Sequence, residues 1–275
     1  MNRKEIAQET LRIQQQGFYE YMGRRVSIAE AQQRSEEGSQ LFTPEQGEAL
    51  VRKWPEWPQS ELKAGYAVAN EATVKAILDF AKAGKQQVGV LNFASAKNPG
   101  GGFLNGAMAQ EESLAASSGL YNTQLLNERY YKANRACRSM MYTDHAIYSP
   151  DVVFFRDEKF ALLPEPVTAS VLTLPAVNYG QVLLKGEDPK QAERVMKDRM
   201  RLALALFAQK GDKHLILGAY GCGVFRNDPV KVAGWWKELL EEEGMGALFG
   251  EVKFAVLDTS KDGKTIRAFN QVFQG

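Results

Sequence analysis

The sequence predicts a layered α/β/α domain, in which a sheet lies between two layers of helices. From about Gly65 to the C-terminus, apolar runs of strand length alternate with amphipathic helical segments. The run QVGVLNFA is almost continuously apolar, as is typical of a strand that is buried on both faces. The 275-residue chain is 44% hydrophobic, which is enough for a sizeable core.

The first 64 residues differ from this pattern. Residues from Arg3 to about Tyr21 are polar and helix-prone, and the later stretch KWPEWPQ contains two prolines that forbid a long helix. We therefore expect a helical and turn-rich extension over residues 1–64, packed on a main domain over residues 65–275.

The elements of the main domain follow in regular order. We predict strands in YAVANE, QVGVLNFA, SVLTLPA, KHLILGAY and EVKFAVLD. We predict helices in ATVKAILDFAKAG, EESLAASSGLYNTQLLNERYYKANR, PKQAERVMKDRMRLALALFAQKG and DPVKVAGWWKELLEEEG.

Composition excludes several classes of function. The 34 basic and 33 acidic residues nearly cancel, which argues against general affinity for nucleic acid. The N-terminus has no apolar stretch of signal-peptide length, and no run is long enough to span a membrane, so we expect a cytoplasmic protein. Cys137 and Cys222 are expected to be free thiols, and the two cysteines and two histidines show no paired spacing for zinc.

The first candidate site lies in NFASAKNPGGGFLNGAMAQEE. Its glycine triplet falls in the loop beyond the carboxyl end of an apolar strand, where open α/β sheets usually bind ligands. Consecutive glycines allow positive φ angles and let a ligand approach the backbone closely. The alternative is a plain loop.

Glu111 and Glu112 follow this loop and are predicted in the first turn of a helix. Acidic residues are common there because they complement the helix dipole, which is the structural alternative. Adjacent helical residues point about 100° apart, so the two carboxylates cannot share one role. In a functional site, one would perform acid/base chemistry while the other orients a hydroxyl.

The second candidate site lies in LILGAYGCGVFRNDP, where Gly218, Gly221 and Gly223 follow a strand and precede a helix. Backbone amides in such a loop can form an anion nest suited to a diphosphate, and Phe225 could stack on a base. The spacing fits neither the GxGxxG fingerprint nor a Walker A loop. Cys222 could be imagined as a nucleophile, but a small buried cysteine is the more common reading, and neither histidine relates to it.

The glycine triplet and the acidic pair together resemble the signature of the poly(ADP-ribose) glycohydrolase family, in its shorter bacterial type. In that signature a glycine triplet is followed after several residues by Gln-Glu-Glu, and the matching residues here are Gly100, Gly101, Gly102, Gln110, Glu111 and Glu112. VLNFASAKNPGGGF, YSPDVVFFRDE and LGAYGCGVFRND also resemble stretches of that family. The resemblance implies a three-layer α/β/α macrodomain-like fold with a mixed sheet and an ADP-ribose cleft at its edge.

The resemblance implies roles at the reacting ribose. Glu112 would be the catalytic acid, and Glu111 would hold the ribose hydroxyls, with Asn98 beside it. The triplet Gly100–Gly102 would approach the ribose and phosphates, and Gln110 would contact the adenine side. The bond to be cut is a ribose–ribose O-glycosidic link beside a diphosphate, so a carboxylic acid must protonate the leaving oxygen.

The resemblance also implies roles for the second loop and for the partners. The diphosphate would be held by Gly221, Cys222, Gly223, Val224 and Phe225, with Phe225 near the adenine or its ribose. Arg226 departs from the small residue that is usual in the family. We expect neither a metal nor a cofactor. The expected partners are poly(ADP-ribose) and ADP-ribosylated proteins, the expected product is ADP-ribose, and no direct nucleic-acid or membrane partner is expected. We also expect a monomer with a link to the DNA damage response.

Three other functions remain open on the sequence. A non-catalytic ADP-ribose reader would need the glycine loops and Phe225 but not the two acids. A mono-ADP-ribosyl hydrolase would suit the glycine loops, although the Gln-Glu-Glu order argues against it. A nicotinamide-dependent oxidoreductase is disfavoured because its glycine fingerprint is absent.

Overall fold

The computed structural model describes residues 2–58 and 64–274 of the chain. The strands in these residues are β1 (Phe18–Tyr21), β2 (Arg24–Ser27), β3 (Gln40–Phe42), β4 (Gly65–Ala69), β5 (Val88–Ala94), β6 (Ala146–Arg156), β7 (Leu162–Pro175), β8 (His214–Leu217) and β9 (Glu251–Ala255).

The helices of the same residues lie between and around these strands. They are α1 (Arg3–Gln16), α2 (Ala29–Gly38), α3 (Pro44–Lys53), α4 (Thr73–Lys82), α5 (Gln110–Ser117), α6 (Leu120–Leu126), α7 (Glu128–Ala136), α8 (Tyr179–Leu184), α9 (Pro189–Lys210), α10 (Pro229–Lys237) and α11 (Lys264–Phe273). Of the helices described, none combines the length and apolar character needed to cross a bilayer.

Seven strands form one mixed sheet in the order β3-β6-β7-β5-β8-β9-β4. The pairs β3–β6 and β6–β7 are antiparallel, whereas β7, β5, β8, β9 and β4 run parallel to one another. β1 and β2 form a separate two-stranded hairpin. The parallel strands place their carboxyl ends at one edge of the sheet, which is the edge that carries both glycine loops.

Successive residues of the central strands point into two different cores, as the pleat of a strand requires. Val90 and Ile216 pack in one cluster with residues of α4, α5 and α6. Leu91 and Leu217 pack in the other cluster with residues of α9 and α10. Both faces of the sheet are therefore covered, and the predicted three-layer α/β/α fold with a mixed sheet is confirmed.

The N-terminal residues contribute both helices and strands. α1 ends at Gln16 rather than near Tyr21, because Gly17 adopts a left-handed φ of 76° and caps the helix. β3 extends the main sheet by pairing with β6. Glu9 of α1 forms a mostly buried ion pair with Arg156 of β6. The division into 1–64 and 65–275 stays a prediction, and residues 59–63 beside its boundary lie outside the described residues.

The long helix predicted from Glu111 onward is wrong as one element. It is three helices, with a first break at Ser118, which is extended at φ −149° and ψ −178° and forms a bridge with Phe154 of β6, and a second break at Asn127, at φ −109° and ψ 45°. Gly119 then donates its N–H to the carbonyl of Val153. A tertiary contact with β6 thus overrides the local helical propensity. The strand β6 and the helix α11 are further elements that the sequence pattern did not predict.

At the opposite edge of the sheet, just before β8, lies a buried acid. Asp212 is 3% exposed, and its Oδ2 accepts a hydrogen bond of 3.0 Å from the hydroxyl of Tyr148. Burial raises the pKa of Asp212 from 3.8 to about 7. The folded protein thus favours the neutral acid there.

We expect Asp212→Asn to weaken the dependence of stability on pH. Between about pH 4 and pH 7 the folded protein retains a proton that the unfolded chain has lost, so the free energy of unfolding falls as the pH rises. An amide carries no charge at any pH, so the variant should gain stability relative to wild type at pH 8, by at most roughly 4 kcal/mol. Urea unfolding at pH 5 and pH 8 measures this, with exposed Asp262→Asn as the control. An unchanged pH slope would contradict the expectation.

Candidate active site

Both glycine loops lie at the carboxyl ends of neighbouring parallel strands. The first loop follows β5 and the second follows β8, and these two strands pair directly. The ring of Phe93 in β5 lies 5.7 Å from the ring of Tyr220 in the second loop, measured between centroids. A Cβ on Gly218 would lie 3.1 Å from the same Phe93 ring. The two loops therefore border one region at the edge of the sheet.

The glycine triplet has a fixed backbone conformation. Gly100 and Gly101 have positive φ angles of 63° and 59°, which side-chain-bearing residues rarely adopt. Gly101 donates its N–H to the carbonyl of Asn98 at 3.0 Å, and Gly102 donates its N–H to Oε1 of Glu112 at 2.9 Å. The loop backbone and the acidic pair are thus directly connected.

Gly101 lies against both carboxylates. A Cβ built on this residue would collide with Oε1 of Glu112 and would lie 3.1 Å from Oε2 of Glu111. A glycine is therefore required here for two reasons: the carboxyl groups leave no room for a Cβ, and the φ angle is positive. A side chain at Gly101 would push the carboxyl groups of Glu111 and Glu112 out of their present positions.

Glu111 is the more enclosed acid, at 2% exposure. Its Oε2 accepts from the N–H of Ser95 at 2.6 Å, and its Oε1 accepts from Nδ2 of Asn92 at 3.1 Å and from Nε2 of Gln124 at 2.9 Å. Burial raises the pKa of Glu111 to about 8, against the lowering effect of these hydrogen bonds. The three donors leave one position free on Oε2, where the ionised acid can accept from a ligand hydroxyl and the neutral acid, which the raised pKa favours, can donate its proton to one.

Glu112 is half-buried and points to the other side of the same turn. Besides Gly102, it accepts a hydrogen bond of 3.1 Å from the N–H of Ala109, which caps the start of α5. Its carboxylate also borders a small cavity together with Phe103 and Ala107. The two acids therefore have different surroundings, as expected for adjacent helical residues.

Gln110 and Asn98 are the two amide residues expected to contact the ligand near the acidic pair. The amide oxygen of Gln110 accepts from the N–H of Phe93 at 2.8 Å, and its Nε2 donates to the carbonyl of Leu91 at 2.8 Å. These bonds attach the start of α5 to β5 and occupy the amide, so they give no support to the expected adenine contact. Asn98 is exposed, and its backbone is bonded within the loop: its carbonyl accepts from Gly101, and its N–H donates to Oγ of Ser95 at 3.1 Å.

The second loop is tightly closed at its base and open at its tip. Gly221 has a φ of 71°, and a Cβ there would lie 2.6 Å from Nδ2 of Asn227, which donates to the Gly221 carbonyl. Gly223 is exposed, and Val224 is 86% exposed. The backbone of these two tip residues is therefore exposed beside the region between the two glycine loops.

Cys222 and Phe225 flank this tip. Burial raises the pKa of the Cys222 thiol well above its ordinary value, which opposes formation of a nucleophilic thiolate. Both cysteines are free thiols, as predicted. Phe225 is half-buried, and its ring lies 6.1 Å from that of Tyr142, measured between centroids. Within residues 2–58 and 64–274, no group of three or more His, Cys, Asp or Glu is arranged to hold a metal ion.

Arg226 follows Phe225 with a positive φ of 59°. Its aliphatic stem lies over Gly180 of α8, where a Cβ would be 3.0 Å from the Arg226 Cδ. Gly180 in turn donates its N–H to the carbonyl of Phe225. The second loop is therefore held against the start of α8.

Four residues of the site were not predicted. Asn92, Ser95 and Gln124 surround Glu111, and Tyr142 faces Phe225. Asn92 could have been found, because it is the one polar residue within the apolar run of β5. No local pattern marks the others, since their contacts join distant parts of the chain.

Comparison with known proteins gives a consistent result. The family described as microbial-type PARG, catalytic domain, matches residues 7–157. The poly(ADP-ribose) glycohydrolase from Thermomonospora curvata is 38% identical over 98% of this chain and 99% of that chain, with a TM-score of 0.94. The same protein bound to the inhibitor ADP-HPD gives 39% identity, 98% of each chain and a TM-score of 0.91.

A second solved relative comes from Deinococcus radiodurans. Its poly(ADP-ribose) glycohydrolase in complex with ADP-ribose is 42% identical over 88% of this chain and 97% of that chain, with a TM-score of 0.83. No curated protein sequence gave a significant match.

We expect Gly101→Ala to remove most activity of the site, by at least about tenfold, because the added methyl displaces both carboxylates and strains a left-handed backbone. Some loss of stability should accompany it. Gly234→Ala is the matched control, since Gly234 lies in α10 with nothing near its Cβ position. Turnover and melting temperature are measured for both variants. Wild-type turnover in Gly101→Ala would show that the triplet tolerates a side chain and does not fix the acids.

Proposed function

The chain belongs to the microbial-type poly(ADP-ribose) glycohydrolase family, and from this membership we propose that it hydrolyses ribose–ribose O-glycosidic bonds of poly(ADP-ribose) and releases ADP-ribose. The observation that carries the proposal is the contact of one glycine backbone with two carboxyl groups of different burial. Such a site lets a sugar approach the backbone while an acid stands beside it.

Glu112 is the general acid in this proposal. It is the less buried of the two acids, and the N–H groups of Gly102 and Ala109 fix its carboxyl group. It donates a proton to the leaving ribose oxygen as the glycosidic bond breaks through an oxocarbenium-like state. The resulting carboxylate then accepts a proton from the water that attacks the anomeric carbon.

Glu111 holds the hydroxyls of the reacting ribose. Its one open acceptor site is on Oε2, the oxygen that lies nearest to Gly101. A hydroxyl bonded there would be held beside the glycine backbone and next to Glu112. Asn98, which is exposed in the same loop, is available to contact the same sugar.

The second loop binds the diphosphate and the adenosine side. Gly221, Gly223 and Val224 supply backbone N–H groups, with Gly223 and Val224 exposed at the tip, whereas the Cys222 N–H already donates to the carbonyl of Ala219. Phe225 packs near the adenine or its ribose. Gln110 is proposed as a positioning residue that attaches α5 to β5, because both ends of its amide are engaged there.

The remaining proposals concern the binding partners and the cellular compartment of the protein. ADP-ribosylated proteins are the proposed carriers of the substrate, and the near balance of 34 basic and 33 acidic residues supports the absence of direct nucleic-acid binding. Two free thiols are in keeping with a reducing compartment, which supports the cytoplasm. We also propose that the protein is a monomer with a role in the DNA damage response.

We expect purified protein to release ADP-ribose from poly(ADP-ribose), and Glu112→Gln to abolish this release, because an amide cannot donate the catalytic proton. The affinity for ADP-ribose should stay within about tenfold, which is roughly 1.4 kcal/mol. Chromatography of released ADP-ribose and calorimetric titration measure the two quantities.

Glu128→Gln is the matched control, since Glu128 is also an acid in the first turn of a helix but is exposed and pairs with Lys132. It should keep wild-type turnover. Binding of ADP-ribose without any hydrolysis by the wild type would support the non-catalytic reader instead. Hydrolysis of mono-ADP-ribosyl protein in place of the polymer would favour the mono-ADP-ribosyl hydrolase, and near wild-type turnover in Glu112→Gln would remove Glu112 from the acid role.

Truncation of Phe225 distinguishes ligand stacking from core packing. If the ring packs on adenosine, Phe225→Ala loses roughly 1 to 3 kcal/mol of stacking and weakens ADP-ribose binding about 5- to 150-fold. If it is mainly a core residue, the fold should lose about 3 to 5 kcal/mol of stability. We expect the first result, because the ring is half-buried at the end of an exposed loop.

The control for this variant is Phe273→Ala. Phe273 is also half-buried, but it lies at the end of α11, and its ring stacks on that of Phe254 in β9 at 4.3 Å between centroids. It should lower the melting temperature and leave ADP-ribose affinity unchanged. The same pattern in Phe225→Ala would overturn the stacking role.

A further inference from the structure

One buried amide joins the glycine triplet to the acidic pair. Gln124 of α6 is fully buried, and its Oε1 accepts the N–H of Gly100 at 2.8 Å. Its Nε2 donates to Oε1 of Glu111 at 2.9 Å. The two ends of a single planar group therefore contact two parts of the site that lie on different elements.

The orientation of this amide follows from chemistry. A backbone N–H can only donate, so the end of Gln124 that faces Gly100 must be the oxygen. The other end is then the NH2 group, which must face an acceptor, and Glu111 supplies one. Reversing the amide would place two donors against each other at Gly100.

Gln124 also governs which oxygen of Glu111 remains open. Asn92 and Gln124 both donate to Oε1 and fill its two acceptor sites, while Ser95 fills one site of Oε2. The remaining site is therefore on Oε2, the oxygen that lies beside Gly101. Without Gln124, Oε1 would regain an open site on the buried side, and only Asn92 and Ser95 would hold the carboxyl group.

The three N–H groups of the triplet have three different partners. Gly101 donates within its own loop to Asn98, and Gly102 donates to Glu112 of the following helix. Gly100 donates to Gln124 of α6, beyond the break at Ser118 and Gly119. The triplet is thus held at one end by α5 and at the other end by α6.

We propose that Gln124 is a positioning residue for the hydrolytic reaction: its bond to Gly100 fixes the amide so that its Nε2 group holds the Glu111 carboxyl group in the orientation that the reacting ribose requires. The inference rests on the proposed function. Gln124 acts through Glu111, so its contribution depends on the Glu111 carboxyl group being present. It is too deeply buried to touch the ligand itself.

The test compares Gln124→Met, which keeps the length and loses both hydrogen bonds, with Gln124→Glu, which keeps the acceptor for Gly100 and replaces the NH2 donor by a second carboxyl group against Glu111. We expect kcat on poly(ADP-ribose) to fall about 10- to 100-fold in both, with KM and the ADP-ribose Kd within about threefold. Asn134→Leu is the control, because Asn134 is a fully buried amide of α7 that donates to the Tyr130 carbonyl and accepts from the Thr143 N–H, with no hydrogen bond to Glu111 or to the glycine triplet. It should keep wild-type kcat at a similar change in melting temperature.

A double-variant cycle separates positioning from simple stabilisation. Because Gln124 acts through Glu111, Glu111→Gln combined with Gln124→Met should be no slower than Glu111→Gln alone. Independent, multiplying losses would overturn the inference, as would wild-type kcat in Gln124→Met. If Gln124→Met does not fold, unchanged kcat in Gln124→Glu would overturn it. A wild-type protein that releases no ADP-ribose would overturn the proposed function and this inference together, whereas an active wild type isolates the inference.

Discussion

The buried carboxyl group of Glu111 is the point on which the local structure depends. It accepts hydrogen bonds from β5, from the backbone just beyond β5 and from α6, so it joins three segments of the chain. A buried acid is costly unless its acceptors are satisfied, and here the compensating donors come from the elements that must be aligned. The same group that could bind a sugar hydroxyl therefore also determines where the loop and helices lie.

The N-terminal residues support this arrangement from behind. Thr10 of α1 donates to the carbonyl of Ala116 at 2.6 Å, and Gln14 donates to that of Ser118 at 2.8 Å. These two carbonyls lie at the end of α5, where the helix stops. The ion pair between Glu9 and Arg156 fixes α1 to the sheet. The helix that carries the acidic pair is thus held on one side by β5 and on the other by α1.

The sequence predicted what depends on local pattern. The apolar run of β5, the glycine triplet and the first-turn position of Glu111 all follow from neighbouring residues, so each agrees with the structure. The break at Ser118 could not be predicted, because it depends on a bridge to β6. The contacts of Gln124 with Glu111 were likewise hidden, since they join parts of the chain that only the fold brings together. The roles of the site residues rest on the resemblance and stay proposals.

The strand order has a consequence for how the chain is made. β4 forms one edge of the sheet, and its partner is β9, near the C-terminus. During synthesis on the ribosome, residues Gly65–Ala69 emerge long before Glu251–Ala255 and must remain unpaired until then. An unpaired strand is a site for association between chains. The order of synthesis therefore leaves β4 without its partner strand until β9 has been made.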